Sequence, residues 1–327
     1  MRAPAFWNPP AGRFSPAATA LAPLAWAYSI AGRLRRHLTR PVAVGVPVIC
    51  IGNLVAGGAG KTPVAISLVR MLAERGLVPH VITRGYGGTV SGPRLVDTSS
   101  HSADQVGDEA LLLAAAAPTW VARARVQGAR AAIAAGATVL VLDDGFQNPG
   151  LAKDISLVVV DASFGYGNGR VLPAGPLREP PASGLARAAA VVVVRTGGTG
   201  TTPPVGKVPT LTAQLAPTSA SHSALQGAAV VAFAGIGRPQ KFFESLAAVP
   251  ATICAAHVFA DHHRYTKAEL AGLEREATAN KAILVTTAKD WIRLPPALRG
   301  HVSVLHVDLE FDNPAALMAV LAPALRK

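Results

Sequence analysis

Charged residues are scarce, at 15% of the chain, and aromatic residues scarcer, at 5%. Half of the residues are hydrophobic, so the composition excludes a disordered, self-solvating chain and supplies a large core. The 327 residues suffice for two domains of ordinary size. Only two cysteines occur, Cys50 and Cys254. They form no metal-binding spacing and no disulfide framework, which fits a reducing cytosol, with both thiols expected to be buried structural groups. Acids are missing altogether before Glu74, whereas Arg2, Arg13, Arg33, Arg35, Arg36, Arg40, Lys61 and Arg70 stand in that stretch. The net charge is +12. Such a basic region attracts polyanions: nucleic acid, an anionic membrane face or a phosphorylated substrate. The few aromatics are not interleaved with the basic residues, so no single-strand stacking platform, and no nucleic-acid partner, is expected.

A long apolar run is also lacking. "AATALAPLAWAYSIA" (17–31) is short, alanine-rich and carries Pro23, whereas spanning a membrane takes about 20 strongly apolar residues. The basic cluster "GRLRRHLTR" follows the apolar stretch, the reverse of a signal peptide. The pattern predicts an amphipathic helix lying at an interface. Leu24, Ala27, Ala31, Leu34 and Leu38 fall at helical spacing, Trp26 and Tyr28 suit a headgroup boundary, and Arg33, Arg35, Arg36 and Arg40 would meet anionic lipids. On these residues alone, an ordinary helix packed on its own domain fits equally well.

What the chain has is alternation. "VICIG" (48–52), "HVIT" (80–83), "TVLVLDD" (138–144), "SLVVVD" (156–161) and "AVVVV" (190–194) are continuous apolar runs, as in strands buried on both faces. Helical patterns separate several of them, among them Lys61 to Glu74, "GDEALLLAAAA" and "QGARAAIAAG". The prediction is an α/β fold with a parallel sheet and helices on both faces. "TGGTGTTPPVGKVP" (196–209) marks a loop or the approach to a hinge. "AAVVAFAGIG" (228–237), "AILVTTAKD" (282–290) and "HVSVLHVDL" (301–309) then supply strands for a second, smaller α/β unit. The expected division is a helical segment over 1–40, a core domain over 41–215 and a smaller domain over 216–327.

"VAGGAGKTP" (55–63) follows the first strand and opens a helix. A standard phosphate loop reads G-x-x-x-x-G-K-[ST], yet Val55 occupies the first glycine position. The context still points to a P-loop NTPase-like core. Gly57, Gly58, Ala59 and Gly60 would cradle phosphates with their backbone N–H groups, Lys61 would reach the β/γ-phosphates of ATP, and the Thr62 hydroxyl would ligate Mg²⁺. Asp143 and Asp144, after an apolar strand, offer the carboxylate such a metal needs. A glycine-rich turn without a ligand, and acids that merely form a turn, are the bland alternatives.

Eight motifs in order extend this reading: "IGNLVAGGAGKTP" (51–63), "TRGYGG" (83–88), "VGDEALLL" (106–113), "DDGFQN" (143–148), "NGRVLPAGPLREP" (168–180), "FAGIGRP" (233–239), "FADHHRYT" (259–266) and "TTAKD" (286–290). Together they resemble the tetraacyldisaccharide 4′-kinase family, the lipid A kinases of Gram-negative bacteria, over nearly the whole chain. In that family the first Walker glycine is absent, so Val55 is expected. One departure is Asn148, where the family motif usually ends in His. Asn cannot titrate, so no acid–base role is expected there.

The resemblance implies transfer of the γ-phosphoryl of ATP to the 4′-hydroxyl of a tetraacyldisaccharide 1-phosphate, giving lipid IVA, with Mg²⁺. It implies peripheral work at the cytoplasmic face of the inner membrane, and no obligate protein partner is expected. It implies Asp108 as catalytic base, although the residue alone would pass for a helix cap. His262 is implied to orient Asp108 or hold its proton, with His263 competing. Asp143 and Asp144 fall to metal or transferred phosphate, undivided. Glu179 is implied near the metal, against a surface ion pair with Arg178. Arg125 is a candidate stabiliser of the transferred phosphoryl, with Arg123 competing, and Arg84 and Tyr86 are placed against the acceptor. A P-loop ATPase of the partitioning or cofactor-insertion class, acting as a switch, is the alternative; Ala56 replaces its characteristic lysine. A non-catalytic lipid-binding relic is a further one.

Overall fold

The computed structural model describes residues 4–8, 14–197 and 203–326. The start of the chain with Arg2 and Arg13, and part of the 196–209 loop, lie outside the described residues. The chain divides into two compact units, and the smaller one comprises mainly residues 215–310.

The larger unit is built on strands β1 (Val48–Gly52), β2 (Pro79–Thr83), β3 (Arg94–Leu95), β4 (Thr119–Val121), β5 (Val139–Asp143), β6 (Ile155–Asp161), β7 (Ala190–Thr196) and β8 (Thr210–Pro217). The smaller has β9 (Ala229–Ala234), β10 (Thr252–Val258), β11 (Ile283–Thr287) and β12 (Val302–Leu305), after which β13 (Val307–Phe311) completes the large sheet. That sheet runs β13-β8-β7-β6-β1-β5-β2-β4-β3. From β7 to β4 every pairing is parallel, and β3 joins β4 antiparallel. The strands read as continuous apolar runs are the central ones, and β1, β2, β5 and β6 are buried at every position. The small sheet, β10-β9-β11-β12, is wholly parallel. Two clusters form its core, one around Phe242 and Leu246, the other around Phe233, Leu270 and Leu273.

"HVSVLHVDL" is not one strand. The ladder breaks at His306, whose N–H donates to Ser221 Oγ at 2.9 Å and whose carbonyl accepts from the Thr218 N–H at 3.0 Å. The backbone at the break is thus satisfied by the start of a helix, and β12 and β13 go to different sheets. A second correction concerns the thiols: Cys50 is buried in β1, where burial pushes it up to about 12, but Cys254 is exposed on β10.

Helices α1 (Pro16–Ala20) and α2 (Ala22–Leu38) precede the first strand. Ser15 caps α1 by accepting from the Ala18 N–H at 3.3 Å. In α2 the large apolar side chains face outward: Leu24, Trp26, Tyr28, Ile30, Leu34 and Leu38 are exposed, and Trp26 and Leu38 each keep 71% of their surface. Only Ala25 is buried. Ala25, Ser29, Gly32 and Arg36, spaced at three and four, turn inward. Arg36 therefore departs from the expected lipid-facing set. No helix among the described residues is long and apolar enough to cross a membrane.

Candidate active site

The glycine loop leaves β1 through Asn53, a fully buried polar residue. A buried amide needs partners. Its Nδ2 donates to the Gly57 carbonyl and its Oδ1 accepts from Lys61 Nζ, both at 3.3 Å. Asn53 thus braces the loop across its width and holds its lysine. Val55 is buried and bridges Leu177 of "GPLREP" antiparallel. The Ala56 N–H donates to the Pro176 carbonyl and the Arg178 N–H to the Leu54 carbonyl, each at 2.7 Å. The first Walker position is therefore an apolar contact in a two-stranded pairing, which glycine would leave empty. Gly57 and Gly60 take φ of +120° and +89°, the left-handed region that suits glycine. Lys61 and Thr62 open α3 (Lys61–Ala73).

Strand β5 pairs with β1 so that Asp143 stands beside Ile51, at the end from which the loop departs. The sequence could not divide roles between the two acids, but their surroundings differ. Asp143 is completely buried. Its Oδ2 accepts from Thr83 Oγ1 at 3.1 Å, while Oδ1 is buried without a hydrogen-bond partner among the described residues. Burial, with the charges of Glu109 and Asp144 added, pushes its carboxyl up to about 7. Asp144 lies 3.4 Å from Lys61 Nζ and 2.8 Å from Arg178 Nη1. Burial works to raise it, but Lys61 and Arg178 outweigh that and hold it below the usual range.

An orphaned buried carboxylate oxygen beside a phosphate loop is what a hard cation would satisfy. Among the described residues no group of three or more His, Cys, Asp or Glu side chains is poised for a metal. Mg²⁺ uses one or two carboxylates and completes its shell with water and phosphate oxygens. Thr62, Asp143 and Asp144 fit such an ion. Glu179 is buried and already engaged: Oε1 accepts from Gln147 Nε2 at 3.2 Å, and Oε2 lies 2.6 Å from Arg187 Nη2 and 3.5 Å from Arg36 Nη1.

Asp108 is buried at the first position of α5 (Asp108–Ala114), one residue inside the helix, while Gly107 holds the cap position. Its Oδ1 accepts from the Glu109 N–H at 2.8 Å. Gly107 has φ +87°, and a Cβ there would meet the Tyr86 carbonyl at 2.5 Å. The same closeness holds at Gly85, whose Cβ would lie 2.9 Å from the Val106 carbonyl. Glycines thus let "TRGYGG" pack backbone to backbone against "VGD", where α5 begins. The side chains of Arg84 and Tyr86 are exposed, Tyr86 by 68%. Arg125 opens α6 (Arg125–Ala134) and is buried. Burial lowers its pKa, and the charges of Asp143 and Asp144 oppose that. Arg123 is exposed and reaches the Gly88 carbonyl at 3.5 Å, whereas Arg125 Nη1 donates to the Ala122 carbonyl.

His262 belongs to the smaller unit and is described there alone. It has φ +58°, and its Nδ1 lies 3.1 Å from Arg293 Nη2. His263 is committed locally: its Nε2 lies 3.1 Å from both oxygens of Glu269, and its ring stacks on Phe259. Asn53, Gln147, Arg187 and Thr83 hold the site together and were missed. A signal existed for two of them, since Asn53 and Gln147 are polar residues inside otherwise apolar or glycine-rich motifs. Nothing local marks Arg187 or Thr83.

Comparison with known proteins places these features. The profile of the family LpxK, Tetraacyldisaccharide-1-P 4'-kinase, matches residues 17–326. The chain belongs to this family. It is 54% identical over 327 residues to the Tetraacyldisaccharide 4'-kinase of Rhodospirillum centenum, covering 99% of this chain and 97% of that protein. The corresponding kinase of Paramagnetospirillum magneticum is 52% identical, with 97% of each chain covered. Among solved structures, the "apo" form of LpxK from Aquifex aeolicus, crystallised in complex with ATP, superposes with a TM-score of 0.76 at 24% identity. It covers 94% of this chain and 99% of that one, which shows a shared fold. The family assignment makes the chain an ATP-dependent kinase of lipid A biosynthesis.

Proposed function

We propose that the larger unit is a P-loop NTPase-like kinase core that moves the γ-phosphoryl of ATP to the 4′-hydroxyl of a tetraacyldisaccharide 1-phosphate, giving lipid IVA. The observation that carries this reading is the convergence of Lys61, Thr62, Asp143 and Asp144 at the ends of two adjacent parallel strands, with Asp143 Oδ1 left for a cation. Gly57, Gly58, Ala59 and Gly60 cradle the phosphates, and Lys61 leaves Asn53 to meet the β/γ oxygens. Thr62, Asp143 and Asp144 would hold Mg²⁺, which would offset negative charge on the nucleotide phosphates. Asp108 accepts the proton of the 4′-hydroxyl as its oxygen bonds to the γ-phosphorus and the bond to the β–γ bridging oxygen breaks, releasing ADP. Arg125 offsets charge on the transferred group, Arg84 and Tyr86 border the acceptor, and His262 serves the proton handling. Glu179 organises the donors around Asp144 and is not itself a ligand.

We further assign α2 to docking on the anionic cytoplasmic face of the inner membrane, as a peripheral element without a protein partner. The deciding experiment incubates purified protein with labelled ATP, Mg²⁺ and the tetraacyldisaccharide 1-phosphate in detergent. A labelled 4′-phosphate is expected. ATP hydrolysis with no label on the lipid would overturn the assignment in favour of a switch ATPase.

A further inference from the structure

In the small sheet the chain leaves β9 toward β10 and leaves β11 toward β12, so connections from these two adjacent strands run in opposite directions. The carboxyl ends of strands at such a switch point form the crevice where open α/β sheets bind and act. Gly235 follows β9, Asp261 and His262 follow β10, and α11 (Ala288–Arg293) follows β11.

A buried polar chain ties these three loops together. Thr287 caps α11: its Oγ1 accepts from the Asp290 N–H at 3.0 Å and donates to Asp290 Oδ2 at 2.7 Å. Asp290 is fully buried, and its Oδ1 receives Arg293 Nη1 at 3.1 Å. The same Nη1 donates to the Gly235 carbonyl at 2.8 Å, and that carbonyl also accepts the backbone N–H of His262 at 3.1 Å. The other arm, Nη2, meets His262 Nδ1 at 3.1 Å. His262 itself sits in the left-handed region at φ +58°. Such backbone positions in residues other than glycine cluster at functional sites, where surrounding contacts over-determine them.

We propose that Arg293 is a positioning residue that fixes His262 with its single proton on Nε2, a proposal that rests on the use of His262 in the reaction. The chemistry follows from the donor inventory. A guanidinium has five N–H donors and no acceptor, so Nδ1 receives the Arg293 hydrogen bond on its lone pair. The one proton of the neutral ring then stands on Nε2. Nε2 lies 3.9 Å from Asp261 Oδ1, beyond hydrogen-bond distance. Asp290 and Thr287 keep the guanidinium in place, and Gly235 anchors the ring's backbone and its clamp to one carbonyl. Held in this way, the ring presents an N–H donor at Nε2 and no lone pair there.

Nitrogen-15 NMR of the full chain, labelled at histidine, tests the clamp directly, with His262→Gln identifying the resonances. His262 should show Nδ1 as a bare nitrogen and Nε2 as a protonated one. A proton on Nδ1, or rapid averaging between tautomers, overturns the proposal. Arg293→Met should release the averaging and lower kcat about 10- to 100-fold, the scale on which the orienting partners of metal-bound histidines act, with KM for ATP unchanged. Arg293→Lys, which keeps charge and a donor, should fall between; it carries the test if the Met variant does not fold. A clamp that shows in the spectrum while both Arg293 variants turn over normally also overturns the positioning role. His262→Gln places an amide donor near the Nε2 position and should retain more activity than His262→Ala. Full activity in both variants would instead remove His262 from the reaction, a separate failure that the tautomer measurement does not share.

Discussion

Arg36 Nη1 lies 3.5 Å from Glu179 Oε2, which joins the inward face of α2 to the network around the glycine loop. From Glu179 the contacts run to Gln147, and from Gln147 to the Asn53 carbonyl at 3.0 Å and to Arg178. Arg178 in turn pairs with Asp144. The helix exposing Trp26 and Leu38 is therefore connected by side chains to the residues proposed to handle phosphate. Glu179 Oε2 also pairs with Arg187 Nη2 at 2.6 Å, a contact independent of Arg36. A partly exposed ion pair contributes up to about 1 kcal/mol, so Arg36→Gln should lower turnover by up to about fivefold. Vesicle binding should be unchanged, because Arg36 does not face outward. Sedimentation with vesicles beside turnover in detergent separates the two, and a variant that loses only binding would show that Arg36 serves lipid.

Lys61→Ala removes the charge held between Asn53 and Asp144. Phosphoryl transfer should fall by orders of magnitude with the thermal transition largely kept, since even an arginine that offsets charge on the transferred group is worth about 10³-fold or more. Asn53→Ala should act more mildly and chiefly raise KM for ATP, since the brace shapes the loop and does not touch phosphate. Normal transfer by the Lys61 variant would end the nucleotide-loop reading.

Asp108→Asn keeps shape and the hydrogen bond from the Glu109 N–H but cannot take a proton. A positioned base contributes about 10²- to 10⁴-fold, so kcat should drop within that range and ATP affinity should hold. Surviving activity with a lowered Tm would reduce Asp108 to a helix-start residue.

The strands buried on both faces were legible because continuous apolar runs of five to seven residues have few other uses. The glycine loop and the acid pair were legible because their chemistry depends on residue type at a fixed spacing. Other features depend on contacts remote in sequence. Arg33, Arg35 and Arg36 look alike in a string, and only the helical phase against Ala25, Ser29 and Gly32 separates the third. Asp143 and Asp144 are neighbours, and only their different surroundings, Thr83 and burial for the first, Lys61 and Arg178 for the second, make them differ. Edge and short strands such as β3, β4 and β10 carry too little apolar pattern to be seen, and "TICAAHV" is mostly exposed. The break at His306 was hidden because the residues on either side are equally strand-like.

Burial lowers the pKa of His80 on β2, and its Nδ1 accepts from Trp120 Nε1 at 3.3 Å, a bond that protonation destroys. The folded chain thus keeps this ring neutral where the unfolded chain takes up a proton. The sign follows: stability is full above the unfolded value of 6.5 and declines as pH falls from there toward the lower folded value. His80→Asn keeps an acceptor near the Nδ1 position and cannot titrate. Its Tm should respond less to acidification than that of the parent chain in melts taken on both sides of 6.5. Parallel Tm curves would show that His80 does not contribute to the acid limb.

The acceptor of the proposed reaction carries fatty acyl chains, and each CH₂ withdrawn into water costs about 0.8 kcal/mol. Extracting even one chain completely is therefore expensive, and bringing the enzyme to the bilayer avoids it. Helix α2 has the required asymmetry: its large apolar side chains, Leu24, Trp26, Leu34 and Leu38, face outward while Ala25, Ser29 and Gly32 turn inward. Arg33, Arg35 and Arg40 are exposed on the same helix or just beyond it, with no acid in the sequence before Glu74. Binding to anionic vesicles is expected, weakened by salt because the attraction between exposed charges is screened. Changing Arg33 and Arg35 together to Gln should reduce vesicle binding and activity on membrane-embedded acceptor, and Trp26→Ala should do so with less dependence on salt. Activity on a short-chain soluble acceptor should be spared in all of these variants. Equal losses on both acceptors would assign α2 to support of the fold or the active site, a role in which Arg36 would be its essential residue and Trp26 incidental.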